Sequence, residues 1–138
     1  IIKGLKYLRR NKIYHRDLKP QNILFSDSTQ TFKITDFGIS KKLRDGEDFD
    51  KYVHSTYTGT PLYMAPEMLE KQTYSSNTDI WSLGIIMYRL TQGHVPYLAN
   101  TPFDLLTLLK RKKNQELYYP FPISKSSQNF IQKCLKYD

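Results

Sequence analysis

The stretch from Asp79 through Ile80-Trp81-Ser82-Leu83-Gly84-Ile85-Ile86-Met87 to Tyr88 constrains the fold more than any other part of the chain. It is apolar nearly all round, so as a helix it has no face to give to water and has to be enclosed by other elements. Ser75, Ser76, Asn77 and Thr78 offer caps before it, and Gly93 with Pro96 ends it. With 138 residues, 39% of them hydrophobic, the chain holds enough apolar material to enclose such a helix in one domain or a piece of one.

Three further helices are predicted around it. Ile1, Leu5 and Leu8, with Ile2 and Tyr7 beside them, recur at helical spacing through Arg9, and Asn11 and Lys12 stop the pattern. Thr101-Pro102-Phe103-Asp104 supplies an N-cap, a proline for the first helical position and an acid for the first turn, ahead of Leu105, Leu106, Leu108 and Leu109. Phe130, Ile131, Cys134 and Leu135 predict a last helix running to the chain end. Ile23-Leu24-Phe25 and Phe32-Lys33-Ile34, separated by the polar residues Ser26 to Thr31, predict a small hairpin. From Ile39 to about Leu62 the chain is polar and without periodicity, and a long surface loop is expected there. The sum is an α+β unit, mostly helical.

The 21 Lys and Arg against 13 Asp and Glu give a net charge of +8, which permits an anionic partner such as nucleotide phosphate, nucleic acid or a membrane surface. Cys134, the single cysteine, excludes a disulfide framework and a cysteine-based zinc site. No apolar run approaches the roughly 18 residues of a membrane-spanning helix, so a soluble intracellular protein, in the cytoplasm, is expected. The chain opens at Ile1 without an initiating methionine or signal-peptide pattern, inside a helix already under way, and an upstream part is therefore expected to be missing.

The chemistry is concentrated at the two ends of the predicted hairpin. HRDLKPQN spans His15 to Asn22, and DFG spans Asp36 to Gly38, directly after the second strand. Asp36 and Asn22 offer hard oxygen ligands suited to Mg²⁺, Asp17 can accept a hydroxyl proton, and Lys19 can sit against a γ-phosphate. That set meets the demands of phosphoryl transfer, which needs a held metal-nucleotide, an in-line hydroxyl and neutralised charge.

GTPLYMAPE, from Gly59 to Glu67, and DIWSLG, from Asp79 to Gly84, follow in order. With these four motifs the chain resembles the eukaryotic protein kinases over essentially all of its length. Lys19 in the first motif, with Thr60 and Pro61 in the third, resembles the serine/threonine type, and the stretch from Tyr97 to Leu109 resembles the autophagy-initiating branch. The resemblance implies a kinase-like α+β fold, here the mostly helical C-terminal lobe with a small hairpin and without the N-terminal lobe. Residues 1–138 would form part of the kinase domain, with the activation segment at 36–67. The glycine-rich loop over the ATP phosphates, its lysine and that lysine's acidic partner do not occur in the chain.

Residue by residue, the resemblance implies catalytic roles for Asp17, Lys19 and Thr60, with Thr60 hydrogen-bonded near Asp17 and Lys19. Asn22 and Asp36 would hold Mg²⁺ and nucleotide, Leu24 would form the floor under adenine, and Thr35 would line the back of that pocket. His15, Phe37, Glu67 and Asp79 would be structural, Asp79 holding the backbone of His15 and Arg16. Arg16 and Lys41 would receive a phosphate on Thr56, with Ser55 and Thr58 as substitutes, added by an activating kinase or by self-phosphorylation. Related chains continue past Asp138 to an arginine that pairs with Glu67, so an unpartnered Glu67 and a less stable chain are expected.

The implied activity is ATP-dependent phosphorylation of Ser or Thr on protein substrates, poor or nil for the 138 residues alone; the alternative is a non-catalytic scaffold that binds partners. Where kinases preferring an upstream Arg carry acids, this chain has Gln21 and Arg89, so basic residues two positions upstream of the acceptor should be disfavoured. Tyr57, Pro61 and Met64 predict an apolar preference just after it. Other features take plain readings: Ile23 and Phe25 as strand core, Cys134 as core, Lys51, His54 and His94 as solvated, and Lys110 to Lys113 as a solvated helix end with no nucleic acid bound.

Overall fold

The computed structural model describes residues 1–44, 47, 53, 54 and 59–137, of which residues 53 and 54 by backbone alone. Its helices are α1 (Ile2–Arg10), α2 (Pro66–Lys71), α3 (Thr78–Gln92), α4 (Pro102–Lys112) and α5 (Lys125–Cys134). Six short strands pair antiparallel in three separate ribbons: β1 (Ile13–Tyr14) with β4 (Lys41–Lys42), β2 (Ile23–Ser26) with β3 (Thr31–Ile34), and β5 (Val53–His54) with β6 (Thr73–Tyr74).

Helix α3 is the axis of the fold. Trp81, Leu83, Ile85, Ile86 and Tyr88 are all buried in one cluster with Leu5 and Leu8 of α1, Leu105 and Leu109 of α4, and Ile131 of α5. Each such side chain contributes about 1.5–3 kcal/mol on leaving water, which is why α1, α4 and α5 give apolar residues to this cluster, while Met68 of α2 packs in a smaller one with Met64 and Tyr74. Helix α5 approaches most closely at Gly84, where a Cβ would stand 2.7 Å from the Cβ of Cys134. The axis ends as the sequence predicts, with Gly93 left-handed at φ 77° and its amide donating to Arg89 O at 2.8 Å. Thr101 caps α4 through the Asp104 amide, with Pro102 in the first turn.

The structure corrects the expectations in three places. The stretch from Ile39 to Leu62 is not structureless among its described residues: β4 lies against β1, β5 against β6, and a 3₁₀ turn runs over Pro61–Tyr63. Two-residue strands carry no periodicity to detect; their positions are fixed by distant partners and by Leu43, which is buried and donates its amide to Lys12 O. Phe25 is no strand core. It is 47% exposed and rests on Phe32: on the face that Ile23, Phe25, Phe32 and Ile34 share, the Ile23–Ile34 pair packs on the core while the next pair, Phe25–Phe32, is exposed. The last helix stops at Cys134, capped by Leu135, and does not reach the chain end. Cys134 is half-buried, and burial pushes its thiol pKa up.

Candidate active site

The loop that carries HRDLKPQN is built downward from α3. The buried Asp79, in the first turn of that helix, accepts the His15 amide on Oδ2 at 2.8 Å and the Arg16 amide on Oδ1 at 3.0 Å. Burial pushes the Asp79 carboxyl up, against the pull of those two amides. Arg16 takes φ 72°, a left-handed conformation that costs a residue with a side chain about 1–2 kcal/mol, and the paired amides offset it. The Arg16 guanidinium donates through Nε to Ile39 O at 2.5 Å and lies over the Tyr74 ring at 5.0 Å. His15 is fully buried, with Nε2 2.9 Å from Thr35 O and Nδ1 accepting the Asp17 amide at 3.3 Å. Since a carbonyl can only accept, the ring proton sits on Nε2. The His15 ring also meets Phe37 edge-on, tying the loop to the segment after β3.

Asp17 is where these supports converge. Its Oδ1 accepts from the Thr60 amide and the Thr60 hydroxyl, each at 3.0 Å, and its Oδ2 pairs with Lys19 Nζ at 2.7 Å and accepts from Asn22 Nδ2 at 3.2 Å. Lys19 Nζ donates in turn to Thr60 Oγ1 at 2.9 Å, so the hydroxyl passes its one hydrogen to Asp17 and takes one from Lys19. Burial alone pushes the Asp17 carboxyl up, but the hydrogen bonds from Lys19 and Thr60 and the Lys19 charge outweigh it and hold the group below its ordinary value. Gly59 brings Thr60 this close: at φ 110° its position takes no side chain, since a Cβ would stand 2.8 Å from Arg16 O.

The β2–β3 register sets the second acid beside the loop. Ile23 pairs with Ile34, and the ladder is extended by the Thr35 amide donating to Asn22 O at 2.9 Å, so Asp36 follows directly beside Asn22. Asp36 is exposed, at φ 62°, and accepts the Gly38 amide on Oδ1 at 3.3 Å. Asn22 is buried and spends Nδ2 on Asp17, which leaves its carbonyl oxygen as the free end of the amide. Among the described residues no group of three His, Cys, Asp or Glu could cage a metal alone. One carboxylate with one amide oxygen suits Mg²⁺, which keeps waters and takes further oxygens from phosphates.

The other sequence-predicted residues fall at varied distances from this centre. Leu24 is 55% exposed on the hairpin and Thr35 is half-buried at its base. Lys41 lies in β4 opposite Tyr14. Thr56, with Ser55, Tyr57, Thr58 and Lys51, lies outside the described residues, as does the side chain of His54. Gln21 and Arg89 are exposed, Pro61 is half-buried and Met64 buried. The Glu67 carboxylate accepts from Thr78 Oγ1 at 2.9 Å and Ser75 Oγ at 3.5 Å. Lys110 pairs with Glu70, Lys113 lies over Tyr137, and His94 is exposed against Tyr88.

One pair of residues at the site escaped the sequence reading. Arg89 Nη1 donates to Tyr63 Oη at 2.6 Å, and Ser82 Oγ donates to Tyr63 O at 2.8 Å, so α3 grips the 3₁₀ turn that follows Thr60. Neither contact has a sequence signal, because each joins positions far apart along the chain.

The whole chain, residues 1–138, matches the protein kinase domain. It belongs to the protein kinase family. The serine/threonine-protein kinase atg1 of Dictyostelium discoideum is 42% identical over 137 residues, 98% of this chain and 19% of that protein. The serine/threonine-protein kinase fused of Drosophila melanogaster is 38% identical over 138 residues, all of this chain and 16% of that protein. The kinase SKM1 of Saccharomyces cerevisiae is 38% identical over 133 residues, 96% of this chain and 20% of that protein. The chain thus spans about a fifth of the length of these relatives. Membership fits the architecture, in which helices enclose α3 and carry the HRDLKPQN and DFG loops on one edge.

Proposed function

We propose that the protein transfers the γ-phosphoryl group of ATP to Ser or Thr hydroxyls of protein substrates. The observation that carries this reading is the Asp17 carboxylate, ionised and fixed by Thr60, Lys19 and Asn22. A carboxylate offers about four lone-pair sites, and here four donors address them. An incoming substrate hydroxyl therefore has to displace one, and the longest contact, from Asn22 at 3.2 Å, is the one to yield. Asn22 keeps its 2.8 Å bond to the Asp17 carbonyl and stays in place, with its amide oxygen left to hold a metal. Lys19, with three donors, can hold Thr60 while turning another N–H to the phosphate.

Asp17 orients the hydroxyl and takes its proton as the oxygen–phosphorus bond forms, and its low pKa matters little when that proton leaves late. Asn22 and Asp36 would hold Mg²⁺, which when bound neutralises charge on the phosphates. Leu24 and Thr35 would contact the adenine, and Thr56, received by Arg16 and Lys41, would order the activation segment. The reading also includes apolar selection just after the acceptor by Tyr57, Pro61 and Met64, and an intracellular setting, where ATP is supplied.

The test is phosphate transfer from labelled ATP by the whole protein, wild type against Asp17→Asn, on a Ser/Thr peptide library. A fall in kcat of about 10²–10⁴-fold, with an unchanged melting temperature, is expected. Equal activity of the two proteins, or none in the wild type with partner binding retained, overturns the reading in favour of a scaffold.

A further inference from the structure

We propose that Ser40 is a positioning residue that fixes where Asp36 stands relative to Asp17. The inference rests on the kinase reading above, in which both acids serve the same transfer. Asp17 lies on the loop after β1 and Asp36 on the segment after β3, and the two stretches meet at His15. Ahead of Asp36, Thr35 O accepts from His15 Nε2 at 2.9 Å; behind it, Ser40 Oγ donates to His15 O at 3.2 Å. Between the two, the Phe37 ring meets the imidazole, and the Ser40 amide closes a turn onto Phe37 O at 3.1 Å. Asp36 is thus carried on a short span of chain pinned to one residue at both ends.

The pin from Ser40 acts on the backbone that leads into Asp17. The His15 carbonyl and the Arg16 amide belong to one planar peptide unit. Asp79 Oδ1 holds its N–H at 3.0 Å, and Ser40 Oγ holds its oxygen. With both edges held, this plane cannot rotate, and it opens directly into Arg16 at φ 72° and then Asp17. Asp79 fastens the plane to α3, whereas Ser40 fastens it to the segment that carries Asp36. The bond that Asp36 Oδ1 accepts from the Gly38 amide lies inside its own turn and does nothing to place it against Asp17. Serine hydroxyls commonly bond backbone within a few residues, but here the partner is 25 positions away. Small displacements between groups that act together are costly in rate, so a single hydroxyl at this junction has leverage.

The experiment uses the whole protein as wild type, Ser40→Ala and Ser40→Thr, the threonine keeping the hydroxyl. In Ser40→Ala, kcat on a Ser peptide should fall about three- to tenfold, the scale of one hydrogen bond between uncharged groups, with KM for the peptide unchanged. The Mg²⁺ concentration that gives half the maximal rate should rise in the same variant, because Asp36 is the group displaced. Ser40→Thr should restore both. With histidine labelled at its carbonyl carbon, the His15 NMR signal should move in Ser40→Ala and return in Ser40→Thr, a readout that needs no turnover. Wild-type kcat and Mg²⁺ dependence in Ser40→Ala, a lowered melting temperature with unchanged kinetics, or equal losses in both variants overturn the proposal and leave the kinase reading standing. Failure of the wild type to phosphorylate any peptide removes both.

Discussion

Thr60 holds the Asp17 carboxylate twice on one oxygen, through its amide and its hydroxyl, each at 3.0 Å. The hydroxyl is also the acceptor for Lys19, so one small side chain sets the spacing of the two charged groups. Thr60→Val removes the hydroxyl and keeps the shape and the amide. A hydrogen bond to a charged group contributes about 1.5–3 kcal/mol, so kcat should drop about ten- to hundredfold, with KM for peptide little changed. Thr60→Ser restores the hydroxyl and should recover most of the rate. Steady-state kinetics of the three whole proteins decide it, and a valine variant with the wild-type kcat would remove Thr60 from the machinery.

Much of this arrangement was legible in the sequence because the chemistry sits in contiguous motifs and the central helix has no polar face. Asp17, Lys19 and Asn22 lie within one turn of chain, and the cap at Thr101 and the stop at Gly93 are local signals that tertiary packing left alone. What escaped depends on distance along the chain. The Arg89 bond to Tyr63 and the strands at Lys41 and Val53 are decided by partners that no window of neighbouring residues contains. Phe25 was misjudged for a related reason: a phenylalanine in a strand says nothing about how far along a hairpin the core reaches, and here it covers Ile23 and Ile34 but not Phe25 and Phe32. The bonds that Glu67 accepts from the Thr78 and Ser75 hydroxyls also lay outside the sequence reading, which considered only a cation for it.

The pH response of Asp17 has a definite sign. Burial raises its pKa, and the Lys19 and Thr60 hydrogen bonds with the Lys19 charge more than reverse that, leaving the folded value below the ordinary 3.8. The unfolded chain then takes up the proton first, so ionised Asp17 stabilises the fold above the unfolded pKa, and this stabilisation is lost as pH falls through the lower folded value. Lys19→Met removes the opposing charge and leaves burial in place. Carboxyl carbon NMR of Asp17 should then titrate at higher pH than in the wild type, and acid unfolding should begin at higher pH. An unshifted titration would mean that Lys19 does not set the ionisation of Asp17.

The contact between α3 and α5 leaves no room for a methyl group. A Cβ at Gly84 would lie 2.7 Å from Cys134 Cβ and 2.8 Å from Leu135 Cδ2, distances that demand movement of a whole helix. Gly84→Ala, although it improves helix propensity, should destabilise the protein by about 1–3 kcal/mol in chemical denaturation. Cys134→Ala keeps its own Cβ and so should not relieve the clash. A stabilised Gly84→Ala protein would show that α5 packs farther from α3 than described.

Asp79 joins stability to function most directly, because its two oxygens divide their labour between two backbone amides. An asparagine there can accept one of them but must turn its own NH₂ toward the other, leaving a buried amide without an acceptor. That cost is about 1–3 kcal/mol, and it falls on the segment that holds Arg16 at φ 72°. Asp79→Asn should therefore lower stability by that amount and also reduce kcat, since Asp17 follows Arg16 directly and its position depends on this loop. Asp79→Ala, with neither acceptor, should be worse on both counts. Denaturant midpoints and kcat measured in parallel separate the two effects: stability lost with kcat intact would mean that Thr60 and Lys19 alone keep Asp17 in register, whereas a joint loss shows that the grip of α3 on the loop is part of how the site is held.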